Sequence, residues 1–182
     1  LILRTQIART WGLRRDFAKA REVLAAIEPA LSTASAEVRV RYFLELGRSH
    51  ASTAHSAEQL SLENREQARS LYSQALQIAK QARLDALAID ALHMMVIVDP
   101  EPERQLEWNE KAVAYMESSD QADAKRWEGS LRNNIGYAKH LQGDYEAALQ
   151  QFRLSRQAHQ KNGRVSNVRV ADWMIAWTLR AQ

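Results

Sequence analysis

Gly136 and Ala148 stand twelve residues apart, with the turn Gly143-Asp144-Tyr145 between them and Phe152 four residues further on. Ala8 and Ala20 stand twelve apart as well, with Arg15-Asp16-Phe17 between them and Leu24 four beyond. An order of small residue, turn, small residue, large residue at a fixed offset marks an internal repeat, and a repeat constrains a fold more than composition does. Two antiparallel helices approach closely only where both carry small side chains, so Gly136 and Ala148 are expected to form such a contact. Phe152 and Ile135 are expected to fill the space between this helix pair and the next.

Fainter copies occupy the rest of the chain. "LELGRSH" repeats the first half with Gly47, and "REQARSLYSQALQIA" repeats the second half with Ala68, Tyr72 and Ala75, after an insertion of about nine residues. Met95 and Ala112 keep the outer positions of a third copy, in which Gln105 replaces the first alanine of the second helix. "ADWMIAWTL" reads as a first helix with Ala176 at the small position, its second helix lying beyond Gln182. The spacings from Ala8 to Gly47, Met95, Gly136 and Ala176 are 39, 48, 41 and 40 residues.

Only 6 Gly and 3 Pro occur in 182 residues, and Ala, Leu, Gln, Arg and Glu abound, a composition that favours helix. Apolar spacing of three and four predicts nine helices, near 2–13, 16–28, 36–55, 61–82, 85–98, 101–117, 121–141, 145–161 and 165–180. In "VDPEPE", Asp99 is expected to cap a helix that has Pro100 at its first position. Pro29 falls near the end of the second helix, Gly163 is expected to close one, and Gly129 to be tolerated inside one. His50 to Asn64 has the least periodicity and predicts a longer loop or an extended helix end.

These features resemble the tetratricopeptide repeat (TPR) family. The residues that carry the resemblance are Ile135, Gly136, Ala148 and Phe152, with Ile7, Ala8, Trp11, Ala20 and Leu24 in the first copy. Lys139 stands where that family usually has an aromatic residue, Ser155 where it has alanine, and the spacings exceed its period of about 34. Longer units of this kind resemble the TPR domains of bacterial regulators and sensors. The resemblance implies an all-α fold in which antiparallel helix hairpins stack as a right-handed superhelical solenoid. It covers 1–182 as one repeat domain, with repeats near 1–34, 36–82, 85–118 and 121–162 and a half repeat at 165–182. It also implies a non-catalytic scaffold that binds a peptide or protein segment in a concave groove.

On that register, the residues three before and one after each small position face the groove: Thr5 and Arg9, Leu44 and Arg48, Leu92 and Val96, Asn133 and Tyr137, Trp173 and Trp177. Arg41 lies on the same face as Leu44. The groove is then cationic at one end (Arg9, Arg41, Arg48), which suits an acidic partner. It is aromatic at the other (Tyr137, Trp173, Trp177), with Asn133 able to hold a peptide backbone. A plainer reading stands beside this one: the arginines are solvated or paired with Glu45 and similar neighbours, and the two tryptophans are core. Trp11 and Trp108 are assigned to packing.

Other chemistry finds little support. There is no Cys, so neither a disulfide nor a thiolate metal site is possible. His50 and His55 are five apart and so do not share a helix face, and no metal-ligand spacing appears among the five histidines. No P-loop, GxGxxG or GxSxG occurs, so neither a cofactor nor an enzymatic activity is expected. Residues 1–50 carry 9 Lys/Arg against 5 Asp/Glu, residues 51–128 carry 8 against 14, and residues 129–182 carry 8 against 3. Separated patches of this kind suit a protein partner and not direct nucleic-acid binding, which uses one dense basic face. The longest strongly apolar run, Met94 to Val98, is far below the roughly 20 residues of a membrane helix. With no signal-peptide pattern either, a cytoplasmic setting is the expectation. The start without Met reads as a segment of a longer protein. On that view the alternative is the sensor or oligomerisation domain of a larger bacterial regulator, and self-association through Trp173 and Trp177 is a third possibility.

Overall fold

The computed structural model describes residues 1–182, and every regular element in it is helical. The chain forms two compact units, Leu1–Pro100 and Glu101–Gln182. The first holds α1 (Ile2–Leu13), α2 (Phe17–Ala25), a 3-10 segment (Glu28–Thr33), α3 (Ala36–His50), α4 (Leu62–Gln81) and α5 (Asp85–Val98). The second holds α6 (Pro102–Ser118), α7 (Ala122–Lys125), α8 (Glu128–Leu141), α9 (Tyr145–Lys161) and α10 (Val165–Ala181). No helix is long and apolar enough to cross a membrane.

The turns explain why the repeat is legible. After α1, Arg15 adopts a left-handed backbone (φ 63°), its N–H bonds to the Gly12 carbonyl at 2.9 Å, and the Asp16 N–H reaches back to the Trp11 carbonyl at 3.0 Å. Gly143 does the same after α8 (φ 79°), with bonds to the His140 and Lys139 carbonyls, both at 3.0 Å. Arg83 after α4 and Gly163 after α9 repeat the pattern. This is the Schellman closure, which satisfies carbonyls that a helix end leaves without partners. Asp16 and Asp144 then cap the following helices by accepting from the N–H groups of Lys19 and Ala147. One short segment therefore ends one helix and starts the next, and so few residues between packed helices make them antiparallel.

In the first unit α2 packs on α1, α4 on α3 and α5 on α4, while α3 also touches α1 and α5. Ala8, Leu24, Ile27, Val38 and Tyr42 form a buried cluster across α1, α2 and α3. In the second unit α9 packs on both α8 and α10, and α6 packs on α8. Ala148, Phe152 and Met174 make the buried cluster between α9 and α10, so Phe152 does bridge to the next helix. Gly136 meets it directly: a Cβ added to Gly136 would lie 2.7 Å from the Phe152 ring. The closest approach at Gly136 is thus to the Phe152 ring. A bare backbone gives the ring its seat. Gly47 seats the Tyr72 ring in the same way, and Gly129 the His159 ring.

Several boundaries differ from expectation. Asp99 does not cap α6, because its buried carboxylate is taken by Arg69. The helix begins at Pro102 instead, after an extended Glu101, as a residue before proline prefers. The span expected at 121–141 is split. Lys125 donates from Nζ to the Met116 and Glu117 carbonyls and fastens α7 to the end of α6, and α8 starts afresh at Glu128. That break makes ten helices where nine were expected. The span expected at 16–28 ends at Ala25, and Pro29 lies inside the 3-10 segment. The span expected at 36–55 ends at His50, where Ala51 turns extended and its carbonyl accepts from the Tyr72 hydroxyl at 2.6 Å. A loop follows to Ser61.

Phe152→Ala should lower stability by about 3–5 kcal/mol through the cavity it leaves. Gly136→Leu should cost about 1–3 kcal/mol through overpacking. The measurement is chemical denaturation, and adding Phe152→Ala to Gly136→Leu should cost less than the two separate losses combined. Strict additivity would show that the two residues are not in contact.

Candidate functional site

The three arginines expected at the cationic end are each matched by a carboxylate. Arg41 on α3 donates to Glu37 at 2.9 Å, one turn earlier. Arg48 donates to Glu45 at 2.6 Å and to Asp90 of α5 at 2.5 Å, and its side chain is only 11% exposed. Arg9 reaches the same Glu45 from α1 at 3.4 Å. Two cations and two carboxylates thus tie α1, α3 and α5 together. Burial pushes the Glu45 carboxyl up, and Arg48 and Arg9 offset that only in part. Burial opposes the Arg48 charge as well, but Asp90 and Glu45 outweigh it and hold the guanidinium above its ordinary value. Arg48 stays charged because a guanidinium does not give up its proton. Thr5, Leu44 and Leu92, expected beside these arginines on an open face, are buried. They continue the stripe of the small positions three residues away and are drawn into the core with it.

The aromatic end is different. Trp173 and Trp177 lie one turn apart on α10 with their rings stacked, centroids 5.8 Å apart and planes 8° apart. Tyr137 of α8 stacks on Trp177 at 6.0 Å, and the His140 ring lies against Trp177 at 3.4 Å. Trp173 is 63% exposed and Tyr137 48% exposed. The support beneath them is ordered. The Thr178 hydroxyl donates to the Met174 carbonyl at 2.8 Å, so its oxygen accepts from His140 Nδ1 at 3.0 Å. Tyr145 presents its edge to His140 at 5.2 Å. The structure therefore brings Tyr137, Trp173 and Trp177 into one stack. Asn133 is less available than expected, since its Oδ1 is buried and has no hydrogen-bond partner.

Sequence reasoning missed the surroundings of His50 and His55. Five residues apart, they cannot share a helix face, but the loop after α3 returns and brings both to one cleft with Arg21. The loss of periodicity at His50 to Asn64 was the only available signal. No group of three or more His, Cys, Asp or Glu side chains could hold a metal ion. The sequence matches no protein-family model, and a search of curated proteins finds no match.

Arg48→Met should cost about 3–5 kcal/mol, because it leaves Asp90 without its cation and the buried Glu45 with Arg9 alone, and urea denaturation measures the loss. Burial depresses His50, His55, His93 and His159 below their ordinary 6.5. The unfolded chain then binds protons first as pH falls. Stability from these groups is complete above about 6.5 and declines below it. Glu45, with its raised carboxyl, has the opposite sign, but four histidines oppose one glutamate. Denaturation midpoints should fall between pH 7.5 and 5.5, and a rise would contradict the burial of the imidazoles.

Proposed function

We propose that the chain is a non-catalytic protein-interaction module of tetratricopeptide-repeat type, which captures a peptide or protein segment across the face shared by α8 and α10. The observation that carries this reading is the stack of Trp173, Trp177 and Tyr137, in which Trp173 and Tyr137 are exposed and Trp177 is half-buried against the Ala148, Phe152 and Met174 cluster. Large aromatic side chains left in water are costly to keep exposed and are favoured binding anchors. They offer broad apolar area with few rotatable bonds, so ordering them on binding costs little entropy. The repeat reading draws support from the four equivalent helix closures and from the glycine-to-aromatic contact found in each unit.

The charge around this face shapes the partner. Residues 129–182 carry 8 Lys/Arg against 3 Asp/Glu; among them Arg156 is matched by Asp172 of α10 and Arg132 by Glu117 of α6. A segment with an aromatic or aliphatic anchor and acidic flanks fits best. The arginines of the first unit contribute less to this reading, because Glu37, Glu45 and Asp90 already answer them.

Selection of peptides from a displayed library should return such segments. Against the recovered peptides, Trp173→Ala should weaken binding at least about tenfold, a loss of about 1.4 kcal/mol, with the thermal midpoint unchanged. Tyrosine at 137 replaced by alanine should have the same direction. Recovered peptides that bind both variants at full affinity would sink the assignment.

A further inference from the structure

The cleft beside the loop after α3 has a volume of about 430 Å³ and the size of a small-molecule site. Its lining is chemically one-sided. Arg21 of α2, His50 of α3 and His55 of the loop face it together with the carboxamides of Gln59, Asn64 and Gln67, and no carboxylate lines it. Arg21 donates to the Ser49 carbonyl at 3.0 Å and forms no ion pair, in contrast to Arg9, Arg41 and Arg48.

The walls are held before any ligand arrives. His55 Nε2 meets the Ser49 carbonyl at 3.3 Å, and its Nδ1 accepts from the Ser52 N–H at 3.1 Å. These two bonds fix the tautomer, and the ring stacks on Phe17 at 3.8 Å. Asn64 donates from Nδ2 to the Gln59 carbonyl at 2.8 Å, which leaves its Oδ1 for the hydrogen bond it shares with His50.

We propose that this cleft binds a small ligand through a phosphate group, a phosphate monoester or inorganic phosphate, with Arg21 and protonated His50 as its charged contacts. A guanidinium fork, an imidazolium and carboxamide N–H groups supply several donors to one tetrahedral anion, and nothing lining the cleft repels it. Binding is linked to a proton. Burial, then the charge of Arg21, then His55 disfavour the imidazolium of His50, and a bound dianion reverses that balance. The charged or titratable groups around His50 are Arg21 from α2 and His55 from the loop, whereas α4 contributes only Asn64 and Gln67 to the lining.

The test is a titration of the intact chain with inorganic phosphate, followed through the His50 ring proton resonances between pH 6 and 8. We expect saturable shifts and an upward move of the His50 midpoint when phosphate is present. Arg21 is exposed, so Arg21→Gln should leave the fold intact and weaken binding about tenfold. His50→Gln should remove the imidazole's share of the pH dependence, leaving that of phosphate itself and of His55. Acetate in place of phosphate should bind far more weakly. The proposal is overturned by linear, non-saturating shifts, by undiminished binding in Arg21→Gln, or by equal affinity for acetate. Because the cleft and the aromatic face share no residue, either proposal can fail without the other.

Discussion

Ring against bare backbone is the contact on which the packing of both units depends. Gly47 under Tyr72 and Gly136 under Phe152 let two helices come together at the width of an aromatic ring. Nothing larger than hydrogen fits at either glycine without displacing the ring. The aromatic side chains then reach further. Tyr72 places its hydroxyl on the Ala51 carbonyl and so sets where α3 stops, and Phe152 joins Met174 and sets where α10 lies. The same glycine that brings α8 onto α9 therefore also fixes the floor beneath Tyr137 and Trp177.

The helical content was legible because it rests on local chemistry: apolar spacing and few breakers. The repeat was legible for the same reason, since each copy depends on a turn whose bonds close within six residues. What the sequence did not disclose were choices between competing partners. Asp99 had the composition of a helix cap, but Arg69, thirty residues earlier, holds it. Lys125 had the look of a solvated helix residue, but two carbonyls of α6 draw it in and break the helix beside it. The arginines show the same limit. The option that they pair with Glu45 was visible, whereas Asp90, on another helix, was not. Tyr137, Trp173 and Trp177 were foreseeable as one face because a register of three and four residues suffices to align them.

In the first unit, buried charge is matched: Glu45 and Asp90 answer Arg9 and Arg48, and burial of the set is bearable only as a whole. Other buried polar atoms lack a partner in both units: Arg39 Nε in the first and Arg132 Nε in the second. Asn133 Oδ1 and His159 Nδ1 are both sealed from water without partners. Each unmet group costs about 1–3 kcal/mol.

The helix closures have a further consequence for how such a chain can vary. Every bond of the turn at Arg15, Arg83, Gly143 or Gly163 lies between residues at most five apart, so the turn does not sense how long its flanking helices are. Lengthening a helix by whole turns leaves the closure intact and keeps its buried stripe on the same side. The unequal spacings along the chain are then differences in rod length between joints of one design. Length can drift under mutation while the joint stays constant, and the reach of each helix beyond its neighbour becomes a free parameter for shaping new surface.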